Sequence, residues 1–121
     1  MIDKVAFTMY PARDAARARA FYEGVLGLEP GQQGLHGSMF WLEYDLPGGG
    51  CIALSNAGPS EPSTTAGGTI ALEVTDLDGL IAHLKAHDVP FLGELVHGPN
   101  CRMQVVRDPE GNSLLLHQLN R

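Results

Sequence analysis

The order of strand and helix signals runs through this chain twice, and that repetition restricts the fold more than any single motif. "VAFTMY" (Val5 to Tyr10) is β-branched and aromatic and reads as a strand. "RDAARARAFYEGVLG" follows, with Ala18, Phe21, Tyr22 and Val25 at helical spacing, Asp14 placed to cap the start and Gly27 to end it. Three extended stretches come next. They are a weak one around Gly31 to Gly34, "SMFWLEYDL" from Ser38, and "CIALSN" from Cys51 after the glycine turn Gly48 to Gly50. After "AGPSEPSTTAGG" (Ala57 to Gly68), small and polar like a linker, the pattern restarts. "TIALEV" is a strand, and "DLDGLIAHLKAHD" is a helix with Leu77, Leu80, Ile81 and Leu84 on one face, ended by Pro90. "FLGELV", "RMQVV" and "SLLLHQL" are three more strands, the last two separated by the turn "DPEGN".

The order is therefore β-α-β-β-β, linker, β-α-β-β-β. We expect one domain over 1–121, with a first module at about 1–56, a linker at about 57–68 and a second module at about 69–121. At an offset of about 62 residues Phe7 falls opposite Thr69, Ala20 opposite Ala82 and Ala53 opposite Leu115. Each module makes a small sheet with its helix on one face, and the strand positions facing away from the helix need another cover. In "SLLLHQL", Leu114 and Leu116 share one face and Ser113, Leu115 and His117 the other. The first reads as helix-side core and the second as the wall of a cleft.

A formal net charge of −6 argues against nucleic acid or an anionic membrane as the main partner. The sequence has neither an apolar run of transmembrane length nor a signal-like start, so a cytoplasmic location is expected. Cys51 and Cys101 form no CxxC and read as reduced, packed thiols.

"RAFYEGVLGL", "GGTIALEVTDLDGLIAHLKAHDV" and "RDPEGNSLLLHQ" together resemble the vicinal oxygen chelate superfamily of glyoxalases, bleomycin- and fosfomycin-resistance proteins and extradiol dioxygenases. The resemblance spans essentially the whole chain. It implies an α+β fold of paired βαβββ modules, two per chain, and a homodimer. In family enzymes four strand positions hold a divalent metal, and they match Phe7, Ala53, Thr69 and Leu115 here. Phe, Ala and Leu offer no donor atom and a neutral Thr hydroxyl is a poor ligand, so neither metal nor other cofactor is expected.

What remains on the same-facing positions is Ala71, Glu73 and His117. Glu73 follows Thr69 and Ala71 at two-residue spacing; it is a rim carboxylate, or a general base or binder of a cationic ligand. His117 is a satisfied strand-end histidine, or a ligand donor or acid–base group. His83 and His87, spaced i, i+4, flank the apolar face of their helix and read as a solvated edge, while His36 and His97 fall in loop-like stretches. Trp41 and Glu43 share one face of their strand, and the sequence leaves open whether that is core or cleft. The resulting expectation is a protein that binds a small organic ligand in an apolar cleft lined by Phe7, Ala53, Thr69, Ala71, Leu115 and Trp41, with Glu73 and His117 as polar anchors. Whether it is an enzyme is left open. Two alternatives stand beside this one: a metal-independent isomerase or lyase-type enzyme using Glu73 and His117, and a metal enzyme with relocated ligands.

Overall fold

The computed structural model describes residues 1, 5–57, 60–98 and 100–120. The chain forms two compact units, Met1–Pro62 and Ser63–Arg121. The first contains β1 (Thr8–Pro11), helix α1 (Ala15–Arg19) continuing as a π-helical segment (Ala20–Val25), β2 (Pro30–His36), β3 (Met39–Asp45) and β4 (Cys51–Ser55). The second contains β5 (Ile70–Glu73), α2 (Leu77–Ala86), β6 (Phe91–His97), β7 (Cys101–Arg107) and β8 (Ser113–Leu119). Each unit holds a four-stranded mixed sheet, ordered β1-β4-β3-β2 and β5-β8-β7-β6. The first strand runs parallel to the last and the remaining neighbours are antiparallel. This is the paired βαβββ arrangement.

The repeat extends to the strand register. Met9 pairs with Ala53 and Tyr10 with Leu54; Ala71 pairs with Leu115 and Leu72 with Leu116. Trp41 pairs with Ser55 and Tyr44 with Ile52, as Met103 does with His117 and Val106 with Leu114. The helix entries repeat too. Asp14 accepts a hydrogen bond from the Arg17 N–H at 3.0 Å, and Asp76 accepts one from the Gly79 N–H at 3.0 Å. Each carboxylate satisfies one of the donors that a helix start leaves unpaired.

The helix-facing side of each sheet is the core. Tyr22 and Tyr44 stack at 5.9 Å between centroids with 19° between planes, and Phe21 meets Tyr22 edge-on. Tyr22, Tyr44, Ile52 and Leu54 are fully buried in the first unit, as are Leu77, Leu84, Leu114 and Val106 in the second. The turn before β8 is organised by Asp108. Its Oδ1 accepts from the backbone N–H groups of Glu110, Gly111 and Asn112 at 3.0, 2.9 and 2.8 Å, and Oδ2 accepts from the Asn112 side-chain amide at 3.1 Å. Gly111 takes a φ of 105° there, which a side chain would resist.

Several elements differ from the sequence expectations. β1 starts at Thr8, so Phe7 precedes the strand, because β1 pairs only with β4 and only from Thr8 onward. The weak stretch at Gly31–Gly34 is part of a full strand, β2, whose seven residues are all exposed. His36 ends β2 and His97 ends β6, where backbone pairing with Met39 and Arg102 makes strand of apparent loop. Helix α2 stops at Ala86, with Asp88 in the left-handed conformation (φ 57°), ahead of Pro90. The Leu26 N–H donates to Phe21 O at 2.9 Å, five residues back, which widens the first helix into its π segment. No helix among the described residues is long and apolar enough to cross a membrane.

Candidate ligand-binding faces

Strand alternation fixes which side chains can meet on each sheet. In the second unit the side away from α2 carries Ala71 and Glu73 on β5, Leu115 and His117 on β8, and Met103 and Val105 on β7. Leu114 and Leu116 are buried on the opposite, helix side. Glu73 and His117 are cross-strand partners, and His117 Nδ1 lies 2.6 Å from Glu73 Oε1. The other carboxylate oxygen accepts the Leu119 N–H at 2.8 Å. The two side chains keep 40% and 25% of their surface exposed, so the pair is fixed and still reachable. Thr69 lies just before β5, and its hydroxyl is 2.7 Å from that of Ser113.

In the first unit the register answers the question left by Trp41. Trp41 pairs with Ser55 and Glu43 with Ala53, while Phe40, Leu42 and Tyr44 are buried toward the helix. Trp41 and Glu43 therefore share the open face with Met9 and Ala53. The Phe7 ring meets Trp41 edge-on at 5.2 Å and 87°. Trp41 Nε1 donates to Glu43 Oε2 at 2.7 Å, and the Cys51 thiol lies 3.6 Å from Glu43 Oε1. Burial, together with the carboxylates of Asp45 and Glu43, pushes the Cys51 thiol up from its ordinary value, so it remains a protonated, unreactive thiol.

Both open faces also carry large apolar side chains, beside polar ones at their edges such as Asp45 and Arg107. Phe7, Met9, Met39, Val96 and Leu119 all lie on them and are among the large apolar side chains left exposed. Among the described residues one hollow of about 420 Å³ lies beside Ala15, Arg19 and Gln33, and another of about 770 Å³ lies beside Arg102, Gln118 and Leu119; neither is lined by Leu115 or Trp41. The expected site residues thus fall into two groups. Phe7, Trp41 and Ala53 belong to the first face, and Thr69, Ala71, Glu73, Leu115 and His117 to the second. Glu43 was not among the expected site residues, although it alternates with Trp41 in sequence. Ala53 is on the first face by register but is completely buried, so its neighbours there cover it and it is not itself open to a ligand.

The family model for the glyoxalase/bleomycin resistance protein/dioxygenase superfamily matches residues 4–116. The chain belongs to this superfamily. No curated protein matches the chain. Among solved structures, TnmS3, an antibiotic binding protein from Streptomyces sp. CB03234, is 25% identical with a TM-score of 0.82, covering 98% of each chain. Glyoxalase I from Leishmania major is 25% identical, with a TM-score of 0.77, over 98% of this chain and 87% of that one. The fosfomycin resistance protein FosX from Listeria monocytogenes is 19% identical, with a TM-score of 0.76, over 98% and 94%.

A superfamily metal is a poor match to the residues present. At the positions that resemble the family's ligand set, Phe7, Ala53 and Leu115 have only carbon in their side chains, and the Thr69 hydroxyl is engaged with Ser113. A divalent ion of the zinc class wants imidazole, thiolate or carboxylate at about 2.0–2.3 Å. Among the described residues no three His, Cys, Asp or Glu side chains come together to hold one. On α2, His83 and His87 sit with ring centroids 4.4 Å apart, and His87 Nδ1 is 2.9 Å from His83 O, an exposed pair on the helix edge.

Proposed function

We propose that this superfamily member binds a small, largely apolar organic molecule on the open faces of its sheets and does so without the family metal. One observation carries the reading: three of the four positions that would supply metal donors, Phe7, Ala53 and Leu115, instead carry hydrocarbon, beside exposed apolar side chains and the fixed Glu73–His117 pair. Covering such a surface with a ligand is favourable by about 25 cal/mol per Å² of apolar area, and a few polar groups then set orientation. The likeness to TnmS3, described as an antibiotic binding protein, supports binding as the activity. The reading includes a cytoplasmic location with Cys51 and Cys101 reduced, both of which are free thiols.

The test is calorimetric titration of a screened ligand into chelator-treated protein. Affinity is expected to survive chelation. Leu115→Glu is expected to cost at least tenfold, because it places an unpartnered charge where the ligand must desolvate it. Affinity that vanishes with the metal, or that ignores Leu115→Glu, sinks the proposal.

A second reading is favoured by the Glu73–His117 hydrogen bond, since a carboxylate-held imidazole is also an acid–base group. It predicts turnover that His117→Ala abolishes while binding persists. We further propose a homodimer, a common way to cover exposed apolar faces. Light scattering should give a mass of about twice the 13.0 kDa chain.

A further inference from the structure

The fixed polar pair on the second open face selects among apolar ligands. Glu73 has both oxygens engaged, Oε1 with His117 Nδ1 at 2.6 Å and Oε2 with the Leu119 N–H at 2.8 Å. An ionised carboxylate only accepts, so Nδ1 is the donor in this contact. Which nitrogen of a neutral histidine carries the hydrogen is set by the bond the other nitrogen makes, and here that leaves the lone pair on Nε2. In its neutral form, a histidine held in this way presents a hydrogen-bond acceptor.

Its surroundings give that acceptor weight. Leu115 and Leu119 flank His117 on β8, Met103 is its partner on β7, and Ala71 precedes Glu73 on β5. Besides Glu73, the ionisable residues that β7 places on this face are Cys101, paired with Leu119, and Arg107, paired with Ser113 two positions from Leu115. In the first unit the corresponding positions are Pro11 and Ser55, and the Ser55 hydroxyl is spent on Phe40 O at 2.7 Å. The acceptor therefore belongs to the second unit. A buried acceptor discriminates strongly against a ligand that covers it without donating, because the group is then left unpaired.

We propose that Glu73 fixes His117 as an acceptor and that the molecule bound on this face is an apolar ligand carrying an acidic hydroxyl, a phenol or an enol. The hydroxyl donates to His117 Nε2 while its flat body covers Leu115, Met103 and Ala71, the thioether adapting to an aromatic ring. No bond is made or broken. The inference rests on the ligand-binding reading above, with Glu73 in the role of a positioning residue.

The experiment compares two probes of nearly equal shape, 2-naphthol and 2-methoxynaphthalene, titrated into wild type, Glu73→Gln and His117→Phe by calorimetry. Wild type is expected to prefer the naphthol by roughly tenfold, the size of one hydrogen bond in a desolvated site. Glu73→Gln allows the amide to donate to Nδ1, which moves the ring hydrogen to Nε2 and turns the acceptor into a donor, a tautomer switch of the kind known from catalytic dyads. The preference should collapse there and in His117→Phe, while affinity for the methoxy probe is retained. A merely structural role for the pair would weaken both probes together. Equal binding of the two probes to wild type, or a preference that survives both substitutions, overturns the inference and leaves apolar binding intact. Binding of neither probe overturns the ligand-binding reading itself, and the inference with it.

Discussion

The two sheets share a backbone plan but not an open face. Met9, Ala53 and Glu43 of the first occupy the register positions of Ala71, Leu115 and Val105 in the second. Pro11, Ser55 and Trp41 likewise correspond to Glu73, His117 and Met103. The first face is thus aromatic, with a carboxylate held by an indole; the second is aliphatic, with a carboxylate held by an imidazole. Toward the helices the pairs stay apolar and buried, Ile52 with Leu114, Leu54 with Leu116 and Tyr44 with Val106. Packing against a helix restricts what those positions tolerate. The open positions carry no such restriction, and there the two units diverge in chemistry.

The sharpest way to test that division is in the cores. Tyr22 and Leu84 hold corresponding places on the two helices, and both are fully buried. Tyr22 is the larger side chain and stacks on Tyr44. Tyr22→Ala should cost about 3–5 kcal/mol, by analogy with other large aromatics, and Leu84→Ala about 2–5 kcal/mol. Urea unfolding followed by far-UV circular dichroism gives both values. A larger loss at Leu84 would mean that the aromatic stack of the first unit contributes less than its buried volume implies.

The helix-side plan was legible in the sequence for physical reasons. Asp14 precedes helical periodicity, and Leu114 and Leu116 alternate with His117; the matching cap at Asp76 was not anticipated. A cap and alternation are local signals, so the first two appear as expected. β2 was faint because none of its residues is buried, which removes the pattern that would announce it. The face of Trp41 could not be read, since either side of its strand carries aromatic residues, and only pairing with Ser55 decides it. The sequence placed Glu73 and His117 on open faces, but that they touch depends on the parallel register of β5 and β8. Alternation puts Glu43 beside Trp41, but its contact with Cys51 depends on the antiparallel register of β3 and β4.

A smaller effect separates the units at low pH. Glu23 in the π segment corresponds to Lys85 on α2. Burial would raise the Glu23 carboxyl, but hydrogen bonds from Tyr44, Arg19 and Gln33 outweigh it and hold the group below its ordinary value of 4.5. All three donors meet Oε2, with the Tyr44 hydroxyl closest at 2.8 Å. Burial and this carboxylate also hold the Tyr44 hydroxyl well above its ordinary range, so it remains a donor throughout. A carboxyl whose folded value is depressed binds its proton more readily in the unfolded chain. Its stabilisation is therefore complete above the unfolded value and is lost as pH falls through the lowered folded one. Lys85 instead sits over the Phe91 ring, its Nζ 5.6 Å from the centroid. Glu23→Gln should therefore flatten the acid limb of the stability–pH curve, with a loss at neutral pH of about 1 kcal/mol or less, because the amide oxygen can still accept from Tyr44. Lys85→Gln should leave the limb unchanged. Urea midpoints for the three proteins between about pH 3 and pH 7 make the comparison. If the acid limb of Glu23→Gln overlies that of wild type, the hydrogen-bonded carboxylate is not what makes the first unit acid-sensitive.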